Sequence, residues 1–121
     1  MTKIAIIGAG SIVFCKTLIL DVLATPGMED VQFSLMAPST RRTSQVAEFI
    51  NRVIRENRLS ARVTVTTNRR EALQEADFVI ATLQIGGNDA YALDIDIPLQ
   101  YGVDQCIGDS IGPGGIFRAA R

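Results

Sequence analysis

The sequence predicts an α/β fold with a doubly wound parallel sheet, and two observations predict it. Residues 4–11 read Ile4-Ala5-Ile6-Ile7-Gly8-Ala9-Gly10-Ser11, an apolar run that stops at a Gly-x-Gly turn. After that turn, helix-like and strand-like segments alternate as far as Leu83. A parallel strand is buried on both faces and reads as a continuous apolar run. Strands that alternate with helices close by right-handed crossovers into one parallel sheet.

The elements follow in order. Lys3–Ile7 is the first strand. From Ser11 to about Leu23, Ile12, Cys15, Leu18, Ile19 and Val22 recur at helical spacing, and Thr25-Pro26-Gly27 ends the segment. Val31–Met36 alternates as a second strand and Pro38-Ser39-Thr40 is a turn. Thr43 to about Asn57 is an amphipathic helix with Val46, Phe49, Ile50, Val53 and Ile54 inward. Ala61–Thr67 is a β-branched third strand, Arg69–Glu75 a short helix, and Asp77–Leu83 a fourth strand that reads as buried. Gln84–Asp89 is a polar, glycine-bearing loop, and Ala90 to about Tyr101 is helical with Pro98 as a late distortion. Gly108–Gly115 holds four glycines and a proline, and Ile116–Arg121 begins another helix. A chain that starts a helix and stops is expected to be a fragment.

Composition narrows the classes. The 121 residues correspond to one domain, 1–121, with 47% hydrophobic residues to supply a core. A net charge of -1 gives no reason to expect nucleic acid or an anionic membrane. Met1-Thr2-Lys3 runs straight into the first strand, no apolar stretch reaches the roughly 20 residues of a membrane span, and two cysteines make no disulfide framework. A cytoplasmic setting is expected. The absence of histidine removes the commonest general base and metal ligand, and no metal-ligand cluster is present.

In such a sheet, ligands bind outside the carboxyl ends of the strands. Gly8, Gly10, Ser11 and Ile12 sit at the first of those ends. There glycines admit a close backbone approach, and a helix N-terminus offers N–H groups to a pyrophosphate. The alternative is a tight turn without a ligand. Val13 replaces the third glycine of the usual fingerprint, a position that serves helix packing. The second strand should end in the acid that holds the adenosine ribose, but Ala37 stands there and Arg41 and Arg42 follow. Either one of these arginines pairs a 2′-phosphate, as in NADP, or both begin a solvated helix face. Gln84, Asn88 and Asp89 follow the fourth strand and are placed to bond sugar hydroxyls, or form a plain loop. Gly108–Gly115 is either an anion nest carrying Asp109 and Ser110 or a hinge. Cys106 has no histidine to activate it, and Cys15 reads as a small core residue.

Gly8-Ala9-Gly10-Ser11, Asp77-Phe78-Val79-Ile80, Gln84-Ile85-Gly86-Gly87 and Gly108-Asp109-Ser110-Ile111-Gly112-Pro113-Gly114-Gly115-Ile116, with Arg118 and Arg121, together resemble the N-terminal, Rossmann-like cofactor domain of glycoside hydrolase family 4. The Asp-Ser-x-Gly-Pro-Gly-Gly stretch is the specific part, and the Gln-Ile-Gly-Gly loop is closer to the α-galactosidase and uronidase branch than to the 6-phospho-glycosidases. The resemblance implies glycoside hydrolysis through NAD-dependent oxidation at C3 and elimination, outside the usual two-carboxylate scheme. It implies a divalent metal, typically manganese, whose ligands fall outside this chain, and a homo-oligomeric full-length form acting on a small glycoside. Gly8, Gly10 and Ser11 would face the pyrophosphate, Gln84 and Asn88 the nicotinamide ribose or the sugar, and Asp109 the active-site floor as an assisting residue. No other catalytic residue is expected in this chain, which alone should be inactive. A 2-hydroxyacid dehydrogenase fragment, of the lactate or malate type, and a non-catalytic nucleotide-binding module are the competing readings. The first would need an arginine in the loop Gln84–Asp89, and none is there.

Overall fold

The structure is a computed structural model that describes residues 1–105 and 111–121. It divides into two compact units, Met1–Leu83 and Gln84–Arg121.

The first unit contains β1 (Lys3–Ile7), α1 (Ile12–Leu23), β2 (Gln32–Met36), α2 (Thr40–Glu56), β3 (Arg62–Thr66), α3 (Arg69–Leu73) and β4 (Phe78–Ala81). The four strands form one parallel sheet in the order β3-β2-β1-β4. The chain steps from β1 outward to β3 and then crosses back to β4. Right-handed crossovers therefore put α1 and α2 on one face and α3 on the other. The strand order reverses between β1 and β4, the switch point where sheets of this kind open a crevice. Ile7 pairs with both Met36 and Ala81, so β1, β2 and β4 end level with one another.

The core lies between the sheet and the helices α1 and α2. Ile6, Phe33 and Leu35 from the strands meet Cys15 and Ile19 of α1 and Val46 and Ile50 of α2, all essentially fully buried. Each large side chain buried there contributes roughly 1.5–3 kcal/mol, an upper bound because unfolded chains already hide some apolar surface. Cys15 is a core residue as expected, and burial pushes its thiol up to about 11. Unfolding exposes the thiol and returns it to 9.0, so Cys15 favours the folded state below that pH, and this contribution is lost as pH rises toward 11. An alkylating reagent at pH 8 is expected to label Cys15 only when denaturant unfolds the chain. Labelling at the same rate in native buffer would contradict this burial.

Three sequence expectations change here. α2 begins at Thr40 rather than Thr43, because the Ser39 hydroxyl accepts the Arg41 N–H at 3.4 Å and caps the helix one turn early. Ile12 is 44% exposed and does not join the apolar face that Cys15 and Ile19 bury. β4 is not a buried strand. It forms an edge of the sheet, with Phe78 61% and Val79 54% exposed.

The second unit contains α4 (Gly87–Gln100) and α5 (Pro113–Ala120). The loop expected over Gln84–Asp89 shrinks to three residues, because Gly87, Asn88 and Asp89 form the first turn of α4. Gly86 enters that helix at a φ of 85°, a left-handed conformation that glycine adopts without strain. The two helices approach closely at Gly114. A Cβ there would lie 1.9 Å from the Asp94 carbonyl oxygen. That carbonyl is the one Pro98 would bond in a regular helix, and Pro98 has no N–H to give. A Gly114 Cα hydrogen therefore sits over a backbone oxygen that the helix leaves without its usual donor. Gly114→Ala is expected to push α5 off α4 and cost about 1–3 kcal/mol or more, read as a lower urea midpoint. An unchanged midpoint would show that the close approach is not needed.

No described helix is long and apolar enough to cross a membrane.

Candidate functional site

The turn that follows β1 is held from both sides. The N–H groups of Gly8 and Ala9 both donate to the Met36 carbonyl at the end of β2, each at 2.9 Å. On the other side, the Thr82 N–H donates to the Ile7 carbonyl at 2.8 Å, and the Thr82 hydroxyl donates to the Gly8 carbonyl at 3.0 Å. Gly8 has a φ of 91°, and a Cβ there would lie 2.5 Å from the Thr82 carbonyl oxygen. Gly8 is thus required by the close approach of two strand ends, and its own N–H is already spent. Gly10 differs. Among the described residues, the only contact a Cβ there would make is with the Ala37 Cβ, at 4.0 Å.

The donors that remain are those of Gly10, Ser11, Ile12 and Val13. None of these four N–H groups bonds to a described residue. The Ser11 hydroxyl caps α1 by accepting the Phe14 N–H at 3.3 Å, and Cys15 starts the regular helix by donating to the Ser11 carbonyl at 3.0 Å. Ser11, Ile12 and Val13 are exposed. The result is a row of unpaired donors at the positive end of a 12-residue helix, at the carboxyl end of β1 and beside the switch point. Such an arrangement can hold a diphosphate with backbone groups alone.

The sequence-derived residues divide as follows. Gly8, Gly10, Ser11 and Ile12 share this one turn, Gly8 as a structural hinge and the other three as potential donors. Arg41 lies four residues beyond the buried Ala37 in the exposed first turn of α2. Gln84 and Asn88 belong to the second unit, where Gln84 is tied down. Its Nε2 donates to the Gly87 carbonyl at 3.2 Å, and its Oε1 accepts from Arg118 at 3.4 Å. Arg118 in turn lies over the Tyr91 ring, 5.1 Å from its centroid. Asn88 is exposed on the first turn of α4. Asp109, together with Cys106 and Ser110, lies outside the described residues, so the nest expected at Gly108–Gly115 is described only from Ile111 onward. There Gly112 precedes α5, while Gly114 and Gly115 lie within it.

One pair escaped the sequence reading. Asp94 is 2% exposed and forms a two-pronged ion pair with Arg121, whose Nη1 also donates to the Ile85 carbonyl at 3.2 Å. The available signal was spacing, since Asp94 falls between Ala90 and Pro98 on one face of α4, and a carboxylate on a buried face needs a partner. The partner, 27 positions further on, carries no local signature.

Among the described residues no three His, Cys, Asp or Glu side chains gather as a metal site.

Comparison with known proteins gives a consistent picture. Residues 3–121 match the model of the family described as family 4 glycosyl hydrolase. An alpha-galactosidase of Rhizobium meliloti (strain 1021) is 49% identical over 119 residues, covering 98% of this chain and 24% of that protein. An alpha-galactosidase of Bacillus subtilis (strain 168) is 34% identical over 122 residues, covering 100% of this chain and 28% of the relative. A crystal structure of 6-phospho-alpha-glucosidase from gut microorganisms, in complex with NAD and glucose-6-phosphate, superposes with a TM-score of 0.62 at 28% identity, over 95% of this chain and 26% of that one. The fold also matches a Thermotoga maritima 6-phospho-beta glucosidase, with a TM-score of 0.72 at 24% identity over 98% of this chain and 28% of that one. The chain spans about a quarter of the length of these relatives.

Proposed function

The chain belongs to family 4 of the glycosyl hydrolases, and on that premise we propose that residues 1–121 are the dinucleotide-binding part of an NAD-dependent glycosidase acting on α-galactosides. The observation that carries this reading is the row of unpaired N–H groups from Gly10 to Val13 at the carboxyl end of β1. Those donors hold the pyrophosphate, and the dipole of α1 adds to the attraction. Gly8 keeps the turn tight enough for the diphosphate to lie against backbone. When bound, the dinucleotide supplies reversible oxidation of the sugar at C3, which acidifies the C2 proton and lets the glycosidic oxygen leave by elimination.

The chain's own side chains bind and orient. Gln84, held by Arg118 and Gly87, is the residue assigned to a ribose or sugar hydroxyl. Asn88 and Asp109 contact the glycoside, with Asp109 assisting the reaction. The divalent metal found with a relative, a gut-microorganism 6-phospho-alpha-glucosidase crystallised with NAD and Mn2+, takes its ligands outside the residues described here.

Calorimetric titration of the chain with NAD and NADP tests the binding step. Saturable heat with at least one of them is expected, and silence with both would overturn the reading. The 121-residue chain given NAD, manganese and a reductant should not cleave an α-galactoside. Turnover would show that the catalytic groups are present within these residues after all.

A further inference from the structure

We infer that the sheet of this 121-residue chain continues into a second copy of the chain, head to tail, with β4 of one copy lying parallel against β3 of the next. The inference is independent of the dinucleotide reading, since the Gly10–Val13 donors take no part in it.

β3 and β4 are the two ends of the sheet, so each is paired on one side only. Its other side carries backbone N–H and C=O groups with no partner in the sheet. β4 is the less protected of the two. Phe78–Ala81 contains no charge and no proline. Phe78 and Val79 point to opposite faces of the sheet, and both are exposed. A strand added here pairs the edge and covers part of both side chains.

Charge selects the partner. Glu75 and Asp77 lead into β4, and from Glu71 to Phe117 the sequence has no Lys or Arg. Lys3 also reaches this end, where its ammonium donates to the Gln74 carbonyl at 2.6 Å and its backbone N–H to the Asp77 carboxylate at 2.8 Å. Arg58 and Arg62 lead into β3, and from Asn57 to Arg70 the sequence has no Asp or Glu. All four of these charged residues are exposed, and neither arginine forms an ion pair among the described residues. Asp30, before the start of β2, pairs instead with the Met1 amine at 3.8 Å.

Every pair in the sheet is parallel. Continued in the same sense, β4 and the next copy's β3 bring their leading ends together, acid against base, and opposite charges across neighbouring strands attract. Other pairings lack this match. Two antiparallel β4 edges set each acidic end against the uncharged Ala81–Leu83 end of the other. Two antiparallel β3 edges set Arg62 against an end that carries Arg69 and Arg70 as well as Glu71. A head-to-tail contact uses different patches on the two copies, so it leaves a free edge at each end and adds copies without closing.

Sedimentation equilibrium of the chain at low salt is the test. The average mass is expected to rise with concentration past that of a dimer, and to fall back toward the monomer as salt screens the ion pairs. Association through apolar surface alone would not weaken in this way. Arg62→Glu and Val79→Lys each change an exposed position, and each alone should hold the chain at the monomer mass. Mixing the two should restore association, because the first variant keeps its β4 edge and the second its β3 edge. A monomer at every concentration would overturn the inference. So would a species that stops at the dimer and survives Arg62→Glu, which is the mark of β4 against β4. A mixture that stays monomeric while circular dichroism shows both variants folded would overturn it as well. The salt series uses the unmodified chain, and it decides the matter should either variant fail to fold.

Discussion

Replacing Arg121 with alanine is expected to cost the helical unit about 3–5 kcal/mol, because it leaves the Asp94 carboxylate buried without its partner. Asp94 is 2% exposed, and water cannot replace the guanidinium without opening the contact between α4 and α5. The Ile85 carbonyl loses its Arg121 donor in the same step. The pair itself contributes less to net stability than this figure implies, since burying both charges already costs most of what their attraction returns. A second variant separates the two quantities. Asp94→Leu with Arg121→Met removes both charges and keeps apolar volume, and it should recover most of the lost stability. Urea unfolding followed by hydrogen exchange of α4 and α5 reads the difference. A loss below about 1 kcal/mol for Arg121→Ala, within the range of an exposed ion pair, would show that Asp94 is reached by water.

Gly8→Ala is expected to cost about 2–5 kcal/mol, the sum of two penalties. Backbone with φ of 91° carries roughly 1–2 kcal/mol for any residue with a Cβ, and driving a methyl to 2.5 Å from the Thr82 carbonyl oxygen adds about 1–3 kcal/mol of overpacking. The strain falls on the turn that presents the Gly10–Val13 donors, so dinucleotide affinity should fall with stability. Gly10→Ala gives the contrast. Among the described residues its added Cβ would meet only the Ala37 Cβ, at 4.0 Å, so the fold should tolerate it, and any effect should appear in ligand binding. Equal loss of stability in the two variants would contradict the distinction between a hinge glycine and a site glycine.

Much of the first unit was legible because its signals are local. β1 reads as an unbroken apolar run and is buried, and α2 reads as a 3.6-residue pattern with Val46, Ile50 and Ile54 buried. The start of α2 was less legible, since Ser39 serves equally as a turn residue and as a helix cap, and only the hydrogen bond to Arg41 decides. β4 misled for a different reason. An apolar run is the mark of a strand buried on both faces, but periodicity does not say what covers it, and here Phe78 and Val79 are exposed at the sheet's edge. Gly86 and Gly87 read as loop residues by composition, whereas Gly86 is the left-handed entry to α4 and Gly87 its first residue. The family resemblance was carried by short glycine motifs, and the match over residues 3–121 selects the glycosidase family over the dehydrogenase alternative.

By itself the sequence determined the parallel α/β order, the glycine turn after β1, the lack of an acid at residue 37 and the arginines that follow it. Each of these is written in adjacent residues, where strand burial, helix periodicity and charge act over short range. Only the tertiary structure decided what the individual glycines do and how the buried charge is paired. Gly8 is fixed by Thr82, Gly114 by the Asp94 carbonyl, and Asp94 by Arg121. These partners are far apart in the chain, and a contact between them exists only after the backbone has brought their segments within hydrogen-bonding distance.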